Sequence, residues 1–383
     1  MDFKGKRVLI LEGYARQCLP FMKAFRELGC EVTLLCNSKL DLGYWSRLSK
    51  NKIVGICNPD RYEESSEFIC NLIKTNRYDI VVPLVDFSAK ILSENKQELS
   101  KYAFIASNDA DVFRLSQDKL SVMDICQRNG IPCPKTLLNI NSVGDVLKSE
   151  INFPIVVKPR TGYGARGFHC FQTKDELLSF EDLENISNYV VQEYIPQTNS
   201  NLSVCLIIDN GGKVQASFTY CSRRWYPIKG GTGTLNELVD RPDAEGICEK
   251  LASMLSLKGI VGFDLIDDKR DGTAKVIEVN PRILACAKIG FIAGIDQAKM
   301  ILELAFANEV EPQIVKRKKI FVRMTQIDFV WFLKSHERWK AKPSWFKISN
   351  TYDQTFSWTD PLPWFAFLLQ GLKKYKKEMK KRS

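Results

Sequence analysis

Histidine is nearly missing: the 383 residues hold only two, His169 and His336. Chemistry built on a histidine base or a Ser-His-Asp triad has little to stand on, so a reaction here must run on Lys, Arg, Asp and Glu. The 12 cysteines are scattered singly with no C-x-x-C pair, which argues against a zinc site and for buried reduced thiols. No apolar run reaches the roughly 18 to 20 residues of a membrane-spanning helix. The opening MDFKGKRVLILEG enters a strand directly, without a secretory leader, so a cytoplasmic location is expected. Only Gly13 follows that first strand and no G-x-G-x-x-G is there, so a Rossmann cofactor site is not expected. Repeats and low-complexity segments are absent before the tail.

What is present is a globular composition, 45% hydrophobic and 26% charged, on a chain long enough for two or three domains. RVLILEG, EVTLLC, KIVGIC, YDIVVPLVD and YAFIAS alternate with helical stretches, a βαβ rhythm that predicts an open, mostly parallel sheet. One helix is expected over 109–129, carrying Lys119 and stopped by Gly130 and the Pro132/Pro134 pair. FPIVVKP then reads as a strand with Lys158 near its end, opening into RTGYGARG with Gly162, Gly164 and Gly167. Glycines this close together let backbone N–H groups approach phosphate oxygens. Thr173 and Glu176 suggest a capping box. YVVQEYI is a strand stopped by Pro196, and LSVCLIIDNGGKVQASFTY a hairpin turning at Asn210-Gly211-Gly212. Helices are expected over 243–255 and 296–307.

The chemistry concentrates in GFDLIDDKRDGTAKVIEVNPR, Gly262 to Arg282, two strands joined by an Asp271-Gly272 turn. If they pair, Asp264 faces Glu278 and Asn280 lies two residues on along the same face. Hard oxygen ligands beside Arg282 suit Mg²⁺ shared with phosphates. Read alone, the same hairpin fits a solvated turn, and Asp267 and Asp268 compete with Asp264.

In order, Lys119, Lys158 with its glycine loop, VVQEYIP, and Asp264 followed by the EVNPR of Glu278, Asn280 and Arg282 resemble the ATP-grasp superfamily. The resemblance is closest to its carboxylate–amine ligases related to the carbamoyl phosphate synthetase large chain, and covers about 1 to 310. It implies an α/β fold in which an N-terminal open parallel domain (1–108) precedes a two-lobed ATP-grasp domain (109–312), with lobes of about 135–195 and 196–312. Residues 313–383 are left as an aromatic and basic extension. It further implies that Lys119, Lys158 and the loop Gly162, Gly164, Gly167 hold ATP phosphates. Gln192, Glu193 and Ile195 would line the adenine hinge, and Asn201 stands where many relatives carry a ribose-binding glutamate. Asp264, Glu278 and Asn280 would bind Mg²⁺ (or Mn²⁺), and Lys158 and Arg282 would serve the transferring phosphate. The implied activity is ADP-forming ligation of a small-molecule carboxylate to an amine, and a homodimer is compatible with it.

YCSRRWYPIKGGTGT resembles that family's substrate arch, with Arg223, Arg224 and Gly231 as candidate substrate contacts; a solvated polar loop is the other reading. The last stretch, DPLPWFAFLLQGLKKYKKEMKKRS, sets a short apolar segment before seven Lys/Arg and one Glu at 373–382, a large part of the net +10 charge. Such a segment suits peripheral contact with the inner membrane surface through 362–383, or packs on the core with the lysines solvated. Nucleic acid is not expected, since no recognised motif accompanies the charge.

Overall fold

The computed structural model describes residues 1–162, 167–179, 181–196, 201–228 and 231–380, without side-chain placement at 181–184 and 372–380. Five short strands, β1 (Arg7–Ile10), β2 (Glu31–Cys36), β3 (Asn51–Val54), β4 (Ile80–Val82) and β5 (Phe104–Ile105), form a parallel sheet in the order β3-β2-β1-β4-β5. The apolar run of β1 serves both faces: Val8 and Ile10 join one buried cluster, Leu9 and Leu11 another. That two-sided burial is why the run does not alternate with polar residues.

A four-stranded sheet follows, β6 (Thr136–Leu137), β7 (Ile155–Pro159), β8 (His169–Phe171) and β9 (Tyr189–Glu193), ordered β6-β9-β7-β8. The largest sheet has seven strands: β10 (Asn201–Ile208), β11 (Val214–Tyr226), β12 (Thr232–Val239), β13 (Gly259–Asp268), β14 (Thr273–Asn280), β15 (Phe321–Arg323) and β16 (Thr351–Asp353). Their order is β14-β13-β10-β11-β12-β15-β16. The first sheet is fastened to this one by apolar packing between helices Cys18–Glu27 and Gln297–Phe306, and by Phe21 edge-on at 5.0 Å to Phe291 of helix Lys288–Ala293.

Three local expectations change. The helix expected over 109–129 divides into Ala110–Gln117 and Lys119–Arg128, because Asp118 leaves helical geometry to accept from the Leu120 N–H as an N-cap. Thr173 caps helix Lys174–Leu178 as expected, but Glu176 accepts from Gln172 N–H. The C-terminal stretch is no appendage, since it supplies β15 and β16 to the large sheet. Its last helix, Leu362–Lys380, seats Ala366 in the core beside the first sheet. Leu362, Phe365, Leu368 and Leu369 stay exposed. Among the described residues no helix is long and apolar enough to cross a membrane.

Arg224 shows how the large sheet is tied to that C-terminal stretch. Its guanidinium is buried and donates twice to Asp328 of helix Thr325–Lys334, at 2.9 Å each, and once to Pro343 O at 2.9 Å. Removing one partner of a buried pair strands the other charge, at a cost of about 3–5 kcal/mol. Arg323 also lies 3.3 Å from Asp328, so the carboxylate keeps one partner, and Arg224→Met is expected to lower the urea midpoint by less than that full cost. An unchanged midpoint contradicts this.

Candidate active site

The hairpin β13–β14 builds the centre. Its register sets Asp264 opposite Glu278, and Gly262 opposite Asn280. A bulge follows, because Leu265 pairs with Val276 and Ile277 is left without a partner. The carbonyl of that extra residue accepts a hydrogen bond from Lys158 Nζ, 3.3 Å away, which brings β7 of the small sheet over the large one. Lys119 opens its helix on the same space. Its Nζ lies 3.1 Å from Glu278 Oε1 and donates to Gly162 O at 3.0 Å. A chain bond from Lys119 N–H to Arg160 O (3.0 Å) and the Arg160–Asp118 ion pair hold the helix start against β7.

Below Glu278 the polar groups form a chain. Ser203 Oγ donates to Asp264 Oδ1 at 2.6 Å and Asn280 Nδ2 to Asp264 Oδ2 at 2.9 Å. Arg282 Nη2 donates to Asn280 Oδ1 at 3.0 Å and pairs with Asp86 at 2.7 Å. Asp86 opens helix Asp86–Glu94 after β4 and also accepts from Gln117 at 3.1 Å. Asp267 and Asp268 are spent elsewhere: Asp267 on Arg241 and Lys269, Asp268 on Arg270 and Lys275. Asp264 is thus the acid that faces Glu278.

Electrostatics fit an anionic ligand. Burial pushes the Lys158 ammonium down to about 8, against the pull of Glu278. Burial likewise raises the Glu278 carboxyl, although Lys119 opposes it. Burial works against the Arg282 charge too, but Asp86, Asp264 and Glu278 together outweigh it. Two carboxylates and an amide oxygen are too few to enclose a metal unaided, and among the described residues no cluster of three or more acidic, Cys or His ligands occurs. That donor set fits Mg²⁺ completed by substrate phosphates.

The glycine loop is described at both ends. Gly162 (φ 131°) and Gly167 (φ 69°) hold left-handed backbone, and a Cβ on Gly167 would stand 2.9 Å from Pro159. Gly164 lies outside the described residues. On β9 the Gln192 side chain is buried on Thr136, and Ile195 is buried too, so both can offer only backbone to a ligand. Glu193 closes the two sheets on each other, accepting from Lys135 N–H (2.9 Å) and Arg270 (2.8 Å). Asn201 begins β10 with an enclosed Oδ1 that has no hydrogen-bond donor among the described residues.

One expected substrate contact, Arg224, is corrected. Arg224 is committed to Asp328 in the interior, and Arg223 is paired with Glu237 across β11–β12 at 2.6 Å. In a strand, neighbours point to opposite faces, so both arginines found cross-strand or core partners that the local sequence does not reveal. Gly231 is exposed, with room for a Cβ denied by Tyr226 O and Pro227. Sequence reasoning missed Asp86, Glu12 and Arg16. The signal for Asp86 was its place just past the YDIVVPLV run.

Comparison with known proteins agrees with this geometry. Residues 116–286 match the family model described as the ATP-grasp domain. The chain is 26% identical over 251 residues to the D-aspartate ligase of Enterococcus faecium, covering 60% of this chain and 59% of that protein. It is 29% identical over 175 residues to the probable alpha-L-glutamate ligase of Cellvibrio japonicus, covering 43% and 55%. The chain thus spans less than two thirds of the length of these two curated relatives. Among solved structures, the biotin carboxylase domain of Hydrogenobacter thermophilus 2-oxoglutarate carboxylase superposes with a TM-score of 0.67 at 18% identity, covering 82% and 73% of the two chains. The L-amino acid ligase of Bacillus licheniformis gives 0.60 at 18%, covering 81% and 78%. At such identity these likenesses speak for the fold. Residues 116–286 are thus similar in sequence to the ATP-grasp domain, and the chain shares its fold with these neighbours.

Proposed function

We propose that the protein is an ATP-dependent carboxylate–amine ligase, with 109–312 as the catalytic unit between an N-terminal unit (1–108) and a C-terminal unit (313–383). A carboxylate oxygen of one substrate attacks the γ-phosphorus and ADP leaves. The nitrogen of a second substrate then attacks the acyl carbon, losing a proton as phosphate departs. Such transfer needs positioning and positive charge more than a histidine base. Lys119, Lys158 and the loop from Gly162 to Gly167 hold the ATP phosphates, Asn201 faces the ribose, and the backbone at Gln192, Glu193 and Ile195 faces the adenine. Asp264, Glu278 and Asn280 hold Mg²⁺, which when bound spreads the phosphate charge. Arg282 is aimed by Asp86 toward the transferred group.

The observation that carries this reading is the convergence of Lys119 and Lys158 on Glu278 and Ile277 from two different elements. The relatives named for D-aspartate, alpha-L-glutamate and L-amino acids support an amino acid as one substrate. Carboxylate labelled with ¹⁸O tests the chemistry. One label should appear in the released phosphate; label retained wholly in the product, or passed to AMP, contradicts the acylphosphate route.

The exposed Leu362, Phe365, Leu368 and Leu369, just ahead of the lysine cluster, support a second, compatible property, peripheral binding to anionic lipid. The full chain should sediment with phosphatidylglycerol vesicles, and Phe365→Glu with Leu369→Glu should abolish this. Equal sedimentation of both proteins contradicts it.

A further inference from the structure

The first sheet has its topological switch between β1 and β4, since β2 and β3 lie to one side of that pair and β5 to the other. In open α/β sheets the crevice outside the carboxyl ends of the strands at such a point is where ligands bind. Two loops border it here, 11–17 after β1 and 83–86 after β4. They are laced together, because Gln17 Nε2 donates to Leu84 O at 2.8 Å and Leu84 N–H donates to Glu12 Oε2 at 3.1 Å. Asp86 extends from the second loop to Arg282, joining the crevice to the hairpin centre.

Arg16 stands in the first loop without a partner among the described residues. Its Nε is enclosed yet has no acceptor, and among the described residues no ion pair or hydrogen bond engages its guanidinium. Arg282 Nε is enclosed and unpartnered as well. Glu12, fully buried in the same loop, is turned to Leu84 N–H and makes no ion pair with Arg16 among the described residues. The neighbours that bear on Arg16 are Cys286, Tyr220 and Arg282, and burial weakens its hold on its proton. Asp86, already shared by Arg282 and Gln117, leaves one cationic charge of the pair without a counterion. Leaving enclosed guanidinium donors unmatched is costly, and a carboxylate matches them bidentately.

We propose that Arg16 binds a non-reacting carboxylate of one of the two substrates, in the switch crevice beside Arg282. This rests on the ligase reading and adds to it a substrate class: a compound with a carboxylate besides the group that reacts. The reacting carboxylate belongs beside Arg282, which faces the transferred group, and Arg16 holds the other carboxylate. The ligand is an amino acid serving as amine, whose α-carboxylate Arg16 grips, or a dicarboxylic acyl donor.

The test uses the full chain and two readouts. ADP release is first measured with amino acids, with small dicarboxylates, and with the matching carboxamides. Arg16→Met is expected to raise KM for one carboxylate substrate by more than about tenfold while KM for ATP stays within about twofold. Discrimination against the carboxamide is lost in that variant, and Arg16→Lys recovers part of it. The substrate whose KM moves tells whether amine or acyl donor supplies the carboxylate. No rise in KM, or an equal rise for carboxylate and carboxamide, overturns the assignment. The second readout is succinate binding without ATP, by saturation-transfer NMR. Wild type should show it and Arg16→Met should not, with circular dichroism confirming that the variant is folded and Arg16→Lys standing in if it is not. Succinate binding that survives the substitution, or is absent from wild type, also overturns it. Should no substrate pair release ADP while Arg16-dependent succinate binding persists, the ligase reading fails and the anion site stands.

Discussion

Glu278→Gln is expected to reduce Mg²⁺-dependent ADP formation by about 10²- to 10³-fold without weakening the fold. The substitution keeps shape and removes charge at the residue that faces Asp264 and lies 3.1 Å from Lys119. Its effect on stability has two opposed parts. Burial raises the Glu278 carboxyl in the folded state. The folded protein therefore holds that proton more tightly than the unfolded chain, and this group's contribution to stability declines as pH rises through the raised value. Against the relief of that burial, the amide leaves the Lys119 ammonium without its partner at 3.1 Å. Thermal denaturation should give a Tm little changed from wild type. Lost activity with a lowered Tm would instead mark Glu278 as a structural residue, and unchanged turnover would remove it from the metal site.

If Lys158 meets the ATP phosphates as proposed, Lys158→Met should lower kcat/KM for ATP by about 10²-fold or more, since it removes one desolvated ammonium of two and leaves Lys119 shared with Glu278. The wild type carries its own pH signature. With Lys158 near 8, the ammonium form dominates below that pH and is lost above it. ATP affinity of the free enzyme should therefore fall as pH rises through about 8. Lys158→Arg, which stays charged, should flatten the profile even if its affinity is lower overall. Calorimetric titration across pH 7 to about 9.5 checks this. A wild-type affinity that is flat over that range, or a Met variant that binds and turns over ATP normally, would show that Lys158 merely props β7 against the Ile277 carbonyl.

The β13–β14 hairpin and the parallel sheet were legible because their signals are local. Alternation set Asp264 opposite Glu278, the Asp271-Gly272 turn fixed the register, and RVLILEG could only be a strand buried on both faces. Contacts distant in sequence were not legible. Arg224 and Asp328 are 104 residues apart, and nothing near either announces the pair. β15 and β16 have three residues each, too few to show a period. The helix break at Asp118 lacks any glycine or proline; it arises from an N-cap stabilised by Arg160, 42 residues on. Arg16 was hidden for a different reason. An arginine ahead of an amphipathic helix reads as solvated, and only the fold shows its Nε enclosed without an acceptor.

The central claim is that this centre moves the γ-phosphate of ATP to a carboxylate and then joins the acyl group to an amine. Its most direct measurement is nucleotide product formed by the purified full chain with Mg²⁺, ATP and pooled carboxylates crossed with pooled amines. The account predicts ADP and phosphate in equal amounts, dependent on a carboxylate, completed by an amine, and lost in Glu278→Gln. AMP with pyrophosphate, or ATP bound without any ADP released across both pools, would contradict it.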